Sequence, residues 1–161
     1  MRNIKYKLYS PSWNKVFRVT NIAFNKQGLI ETVAVPMKDA LPEHYGDTNL
    51  VLDLYPKDKI ELLEFTGHYD IDGNEIYEGY IVRFAIPNPT GYENYDGEWV
   101  DTTQEEPCGE VVFKDGCYCV KYPNGELLPF NTPTSETNKA PIIELFEVIG
   151  NIYENRELLD D

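Results

Sequence analysis

The densest chemistry in this chain lies between His68 and Glu75. Asp70-Ile71-Asp72-Gly73-Asn74 sets side-chain oxygens at alternate positions, the opening spacing of an EF-hand calcium loop. The remainder of that loop is missing. Glu75 stands where Gly should follow Asn74, and the bidentate Glu expected at loop position 12 is replaced by Ile81. Only the first ligand positions fit, so calcium is not expected. His68 and Tyr69 flank Asp70 with residue types suited to proton transfer. A catalytic His needs an oriented partner and a pocket, and a solvated turn histidine is the more economical reading.

Cys108, Cys117 and Cys119 are an odd number of thiols, which argues against a full disulfide framework. Cys117 and Cys119 fall in an expected strand, where positions two apart share a face and make a poor disulfide. A zinc site would need a further ligand from His44 or His68 and has no C-x-x-C pair to start from. Small buried or half-buried thiols are expected instead. Ser10, Ser12 and Ser135 read as loop serines with no matching base. The sequence holds no Gly-rich phosphate loop. Neither a catalytic group, a metal nor a cofactor is expected.

The 161 residues carry a net charge of −14 with a sequence pI near 4.5. Such a balance repels phosphate backbones, so general nucleic-acid binding is not expected. It serves solubility, or it offers a surface to a basic partner. No stretch approaches the ~20 apolar residues that span a bilayer. The opening Met1-Arg2-Asn3-Ile4-Lys5-Tyr6 has no apolar signal segment. A cytoplasmic location is the expectation.

Turn residues punctuate short runs of alternating or continuous apolar character, the pattern of an antiparallel β protein. Strands are expected at Ile4–Tyr9, Val16–Phe24, Leu29–Val35, Leu50–Tyr55 and Ile60–Phe65, with a sharp end at Thr66-Gly67. A short helical turn is expected near Lys38–Leu41. Asp72-Gly73 and Glu78-Gly79 mark two reversals, and Tyr80–Ile86 follows as a strand. Asp115-Gly116 joins Gly109–Phe113 to Cys117–Tyr122 in a hairpin, and Pro123-Asn124-Gly125 turns the chain again. Ile142–Tyr153 reads as one long strand bent at Gly150, after which Asn155 caps a terminal turn through Leu159. The expected fold is mainly β with little helix. An N-terminal antiparallel β unit over residues 1–66 joins a small SH3-like β-barrel over residues 67–161, the two sharing one core. Leu63 to Val82 is the joint between them.

Residues 87–107 break the pattern. They hold six acidic residues, no Lys or Arg, and the aromatics Tyr92, Tyr95 and Trp99. The segment reads as an insertion between two barrel strands, and long loops inside compact domains are commonly functional. Tyr92, Glu93, Tyr95, Asp96, Glu98, Trp99 and Asp101 form the candidate protein-binding surface. The plainer alternative is a solvated loop whose aromatics fold back on the barrel.

Phe65-Thr66-Gly67, then Asp72-Gly73-Asn74-Glu75-Ile76-Tyr77-Glu78-Gly79 and Ile81-Val82, resemble the first signature of the YopX family. Glu147-Val148-Ile149-Gly150-Asn151-Ile152-Tyr153-Glu154-Asn155 resembles its second and Met1-Arg2-Asn3-Ile4-Lys5-Tyr6 its N-terminus, so the resemblance spans nearly the whole chain. Tyr80 departs from the Asp usual in the family, His68 from Leu and Arg156 from Pro, and the 87–107 insertion is longer. The resemblance implies a phage or prophage protein of bacteria with a mostly β fold and brings no activity, cofactor or catalytic residue. The signature residues explain themselves as structure: Gly67, Gly73 and Gly79 permit turns, while Ile76, Tyr77, Ile81 and Val82 fill a core.

Three functions follow as expectations. The first is a non-catalytic module that binds a host or phage protein. The second is an acidic nucleic-acid mimic or an anti-defence inhibitor. The third is a small barrel that binds nucleic acid or a ligand, which requires a basic patch such as Lys5, Lys7, Lys15 and Arg18. Exposed β edges and abundant Tyr are also compatible with a homo-oligomer.

Overall fold

A computed structural model describes residues 3–40, 49–53, 59–85, 91–101, 107–134 and 140–160. The expected strand end at Leu54-Tyr55, the irregular residues Pro42, Gly46 and Asp47, His44, Ser135, Ile86 and the flanks of the insertion at 87–90 and 102–106 lie outside the described residues. The chain is mainly β with little helix, as expected.

The first half builds two sheets. β1 (Tyr6–Ser10) pairs antiparallel with β2 (Lys15–Arg18) and with β6 (Glu61–Tyr69), and β7 (Glu75–Tyr77) pairs with β6. β3 (Asn21–Phe24), β4 (Ile30–Pro36) and β5 (Asn49–Asp53) form a separate three-stranded sheet, and α1 (Met37–Ala40) follows β4. The continuous strand expected over Val16–Phe24 is therefore two strands in different sheets. The backbone changes partner at Val19-Thr20, where Val19 N–H bonds Tyr6 O and Thr20 N–H bonds Ala34 O. Ser10 ends β1 fully buried, in contrast to the loop serine expected.

The second half is a five-stranded sheet that curls into a half-barrel. β8 (Tyr80–Phe84), β11 (Gly109–Lys114), β12 (Cys117–Lys121) and β13 (Leu127–Pro129) form a meander, and β14 (Phe146–Asn151) returns to pair with β8. Asp115 and Gly116, both at positive φ, make the tight β11–β12 turn. The expected strand over Ile142–Tyr153 is shorter than read: Ile142–Leu145 is a 3-10 turn. Buried Ile143 explains the misreading, since a continuous apolar run looks the same in a strand and in a short buried helix.

Alternation along β1 and β6 makes their sheet a wall between two cores. Leu8 and Phe17 are buried with Val33 and Val35 on one side, and Leu62 packs against them. Leu63 and Phe65 are buried on the other side with Ile76, Tyr77, Val82, Val111, Val120 and Phe146. β6 runs through the expected 66/67 boundary and contributes to both cores. Between β8 and β11 lies a hairpin of β9 (Gly91–Glu93) and β10 (Trp99–Asp101). The insertion is thus not structureless across these residues.

Candidate functional site

One turn design recurs and decides the chemistry of the Asp70 segment. At Asn25, Asp70 and Asn94 the Oδ1 atom accepts from the N–H groups two and four residues on, at 2.7–3.0 Å. In each, the N–H of the first residue bonds the carbonyl four residues later, and a Gly at positive φ donates back to the first carbonyl. The common text is Asn/Asp-x-x-Gly, a side chain that mimics a backbone turn. Asp70 is thus a hairpin builder whose oxygens face the chain's own N–H groups. That explains the partial calcium motif without an ion.

Asp70 also does something the other two turns do not. Its Oδ2 accepts from Asn74 Nδ2 at 2.9 Å and from Val148 N–H at 3.1 Å, and Ile71 N–H reaches Phe146 O at 2.9 Å. The carboxylate is buried. It joins the first signature to the second across 78 residues. Further along, Ile152 N–H bonds Gly79 O at 2.9 Å, and a Cβ on Gly79 would sit 3.3 Å from the Tyr153 ring. Thr66 Oγ1 donates to Ile76 O and accepts from His68 N–H. Asn151 is buried and holds the exit turn, accepting from Tyr153 and Glu154 N–H at 3.0 Å each. Ile149 bulges out of the β14–β8 ladder between Val148 and Gly150. A Cβ on Gly150 would lie within 3 Å of the Asn155 side chain. Asn155 stands at the cap position of the terminal turn, but its Oδ1 accepts from Asn151 N–H at 3.3 Å and does not cap that turn. Tyr153 then stacks on Tyr9 at 4.3 Å and donates to Glu61, which ties the second signature to the N-terminal sheet.

The signature glycines at 67, 73 and 79 all take positive φ, and Ile76, Tyr77, Ile81 and Val82 are buried. Sequence reading missed Asp70 as their link. The turn spacing was visible, but its partner Val148 is remote in sequence.

His68 is not a turn residue. It lies in β6, half-buried, with its ring edge-on to Phe130 at 5.6 Å. Burial lowers its pKa, and the charge of Glu144 partly offsets this. Among the described residues its ring has no hydrogen-bonded carboxylate to orient it. Cys117 and Cys119 share a face as expected, with sulfurs 3.7 Å apart, and both are free. Burial and the neighbouring Cys117 push the Cys119 thiol up to about 11, which keeps it protonated and unreactive at neutral pH.

The candidate contact surface is the β9–β10 hairpin. Glu93, Asp96 and Glu98 are exposed, and Tyr95 at the tip is 110% exposed, so it does not fold back on the barrel. Asn94 holds the tip through its two backbone bonds. Trp99 pairs in register with Glu93, Val100 with Tyr92 and Asp101 with Gly91. A second acidic group lies at the joint. Glu78 is half-buried; burial, with the charges of Glu64 and Glu110, raises its pKa, against a bond from Phe113 N–H. A carboxyl whose folded pKa is raised destabilises the fold when ionised, and the penalty disappears as pH falls through that pKa. Glu78→Gln should therefore stabilise the protein by about 0.5 kcal/mol at pH 7. The gain should vanish near pH 4, and thermal melts at the two pH values check it.

Fold and site together define a mainly β protein in which two sequence signatures lock a two-core body and an acidic hairpin is inserted in sequence between β8 and β11. The profile of the YopX protein family matches residues 5–160, and the chain belongs to that family. Its fold is similar to that of protein EF1440 from Enterococcus faecalis, with TM-score 0.56 and 17% identity over 99% of both chains. It is similar also to protein yopX from Bacillus subtilis, with TM-score 0.52 and 18% identity over 100% of this chain and 98% of that one. No curated protein matches the sequence. Among the described residues no helix is long and apolar enough to cross a membrane.

Proposed function

We propose that this protein is a phage- or prophage-encoded accessory protein of the bacterial cytoplasm that works by binding a host or phage protein, without catalysis. The contact surface is the β9–β10 hairpin. The observation that carries this reading is Tyr95, fully exposed at a tip whose backbone is pinned by Asn94 and flanked by Asp96 and Glu98. An exposed aromatic on a pre-ordered turn costs little entropy to bury, which is what an interface anchor needs. The acidic flanks select a basic partner and speed its approach. The meander with its returning strand supports the SH3-like description of residues 67–161, joined at β6 to a separate N-terminal β unit.

The test is affinity capture from bacterial lysate with the intact chain and with a chain lacking residues 92–106. Basic proteins retained only by the intact chain, and released as salt rises, are the expected result. Tyr95→Ala should weaken the isolated complex about tenfold. Identical capture by both chains would remove the hairpin from the function.

A second reading is an acidic nucleic-acid mimic. It is favoured by the placing of Glu64 and Glu110 close enough to the half-buried Glu78 for their charges to raise its pKa. Displacement of DNA from a captured basic partner, lost in Glu64→Gln/Glu110→Gln, would select it over the first.

A further inference from the structure

Residues 1–30 contain Arg2, Lys5, Lys7, Lys15, Arg18 and Lys26 and no Asp or Glu, in a chain of net charge −14. The fold converts part of this run into a cluster. Lys7 and Arg18 are directly opposed across the β1–β2 ladder, and Lys5 stands two residues before Lys7, just ahead of β1. Like charges opposed in this way destabilise a strand pair. All three cations line one open cavity of about 530 Å³ between β1, the β2–β3 crossing and β7. Its volume lies in the range of small-molecule sites. Thr20, Asn21 and Tyr77 supply further polar lining, and Glu75 is the one carboxylate among its lining residues.

The cations are held in place by side chains around the cavity. Lys7 Nζ bonds Tyr80 Oη and lies over the rings of Tyr77 and Tyr80, at 4.9 and 5.1 Å from their centroids. Arg18 is oriented by both oxygens of Asp39, at 2.9 and 3.2 Å. Lys5 pairs with Glu75 and lies over Phe65. Lys15 does not join them: it turns to Asp39 O and the Phe17 ring, and does not line the cavity. Two lysines and an arginine lining one cavity supply the donor types that a phosphate monoester takes in charge-assisted bonds, once Lys7 swings from Tyr80 and Arg18 from Asp39.

We propose that this cavity is a binding site for a small phosphorylated molecule, with Lys5, Lys7 and Arg18 holding the phosphate. The site is separate from the acidic hairpin and does not depend on it.

Titration calorimetry and thermal melts of the full chain at low ionic strength test it, with adenosine 5′-monophosphate, inorganic phosphate and adenosine as probes. Both phosphates are expected to release or absorb heat and to raise the melting temperature, and adenosine to do neither. Lys7→Gln and Arg18→Gln should each weaken nucleotide binding about tenfold. Glu75→Gln should tighten it about threefold by removing a like charge from the cavity. A variant that merely loosened the fold would not bind more tightly, so this last result separates ligand contact from structural support. No response to either phosphate, or equal response in all variants, overturns the site. Binding of oligodeoxythymidylate in preference to the monoester overturns the small-ligand assignment.

Discussion

Asp70→Ala is expected to lower stability by about 3 kcal/mol, since a buried carboxylate that accepts several hydrogen bonds contributes at the upper end of the charged range. The melting temperature should fall roughly 6–12 °C for a domain of this size. The loss has two parts. The Asn/Asp-x-x-Gly turn loses the side chain that accepts from Asp72 and Asn74 N–H. Val148 N–H, in the opposite signature, loses its partner. Asp72→Ala is the control: the residue is exposed in the same turn, and its loss should cost no more than about 0.5 kcal/mol. The effect also carries a pH signature. Burial alone would raise the Asp70 carboxyl, but bonds from the Asn74 side chain and from Val148, Asn74 and Asp72 N–H hold it below the ordinary carboxylate value. A carboxyl with a lowered folded pKa contributes stability that is present above its unfolded value and lost as pH falls through the folded one. The wild type should therefore lose stability below about pH 4, and Asp70→Ala should lose less. Equal acid slopes in the two proteins would show that Asp70 is not the linked group.

Phe146→Ala should cost about 4 kcal/mol, the range for a large aromatic removed from a closed core. Phe146 is 1% exposed, sits edge-on to Phe84 at 5.4 Å and belongs to the cluster of Ile143, Val82 and Val111. It begins β14, so the cavity would open where the 3-10 turn hands over to the returning strand. Phe113→Ala, at a residue 55% exposed on β11, should cost under about 1 kcal/mol. Urea unfolding checks both. The midpoint should move in Phe146→Ala with the slope unchanged, which marks lost stability within the same folded state.

The parts of the fold that were legible in the sequence are those fixed by neighbours along the chain. Asp72-Gly73, Asp115-Gly116 and Asn124-Gly125 announce their turns because glycine at positive φ leaves a local mark, and the hairpins around them follow. The signatures announced the family for the same reason. What was hidden depends on distant partners. Val16–Phe24 looks like one strand because nothing in its own residues shows that Val19 bonds β1 while Thr20 bonds β4. Ile142–Leu145 has strand-like composition and is a 3-10 turn because Ile143 must point into the core. Of the candidate site, the acidity and aromatics of the hairpin were visible, but its two strands are too short to show a period. Lys5, Lys7 and Arg18 were visible as charges, and only the β1–β2 register and β7 bring them to one cavity.

The bond from Asp70 to Val148 also sets an order of events during synthesis. β8 lies between β11 and β14 and is made long before β14. Until residues 146–151 emerge, one edge of β8 is open, Asp70 has no Val148 and Phe146 has not filled the core. Tyr9 and Val16, made earliest, also wait for Tyr153 and Glu154. Such distant closures are slow to form and leave strand edges open to wrong partners in the interval. The second core is therefore completed only when residues 146–151 have been made, and a chain that stops before residue 146 leaves the β14 side of β8 unpaired.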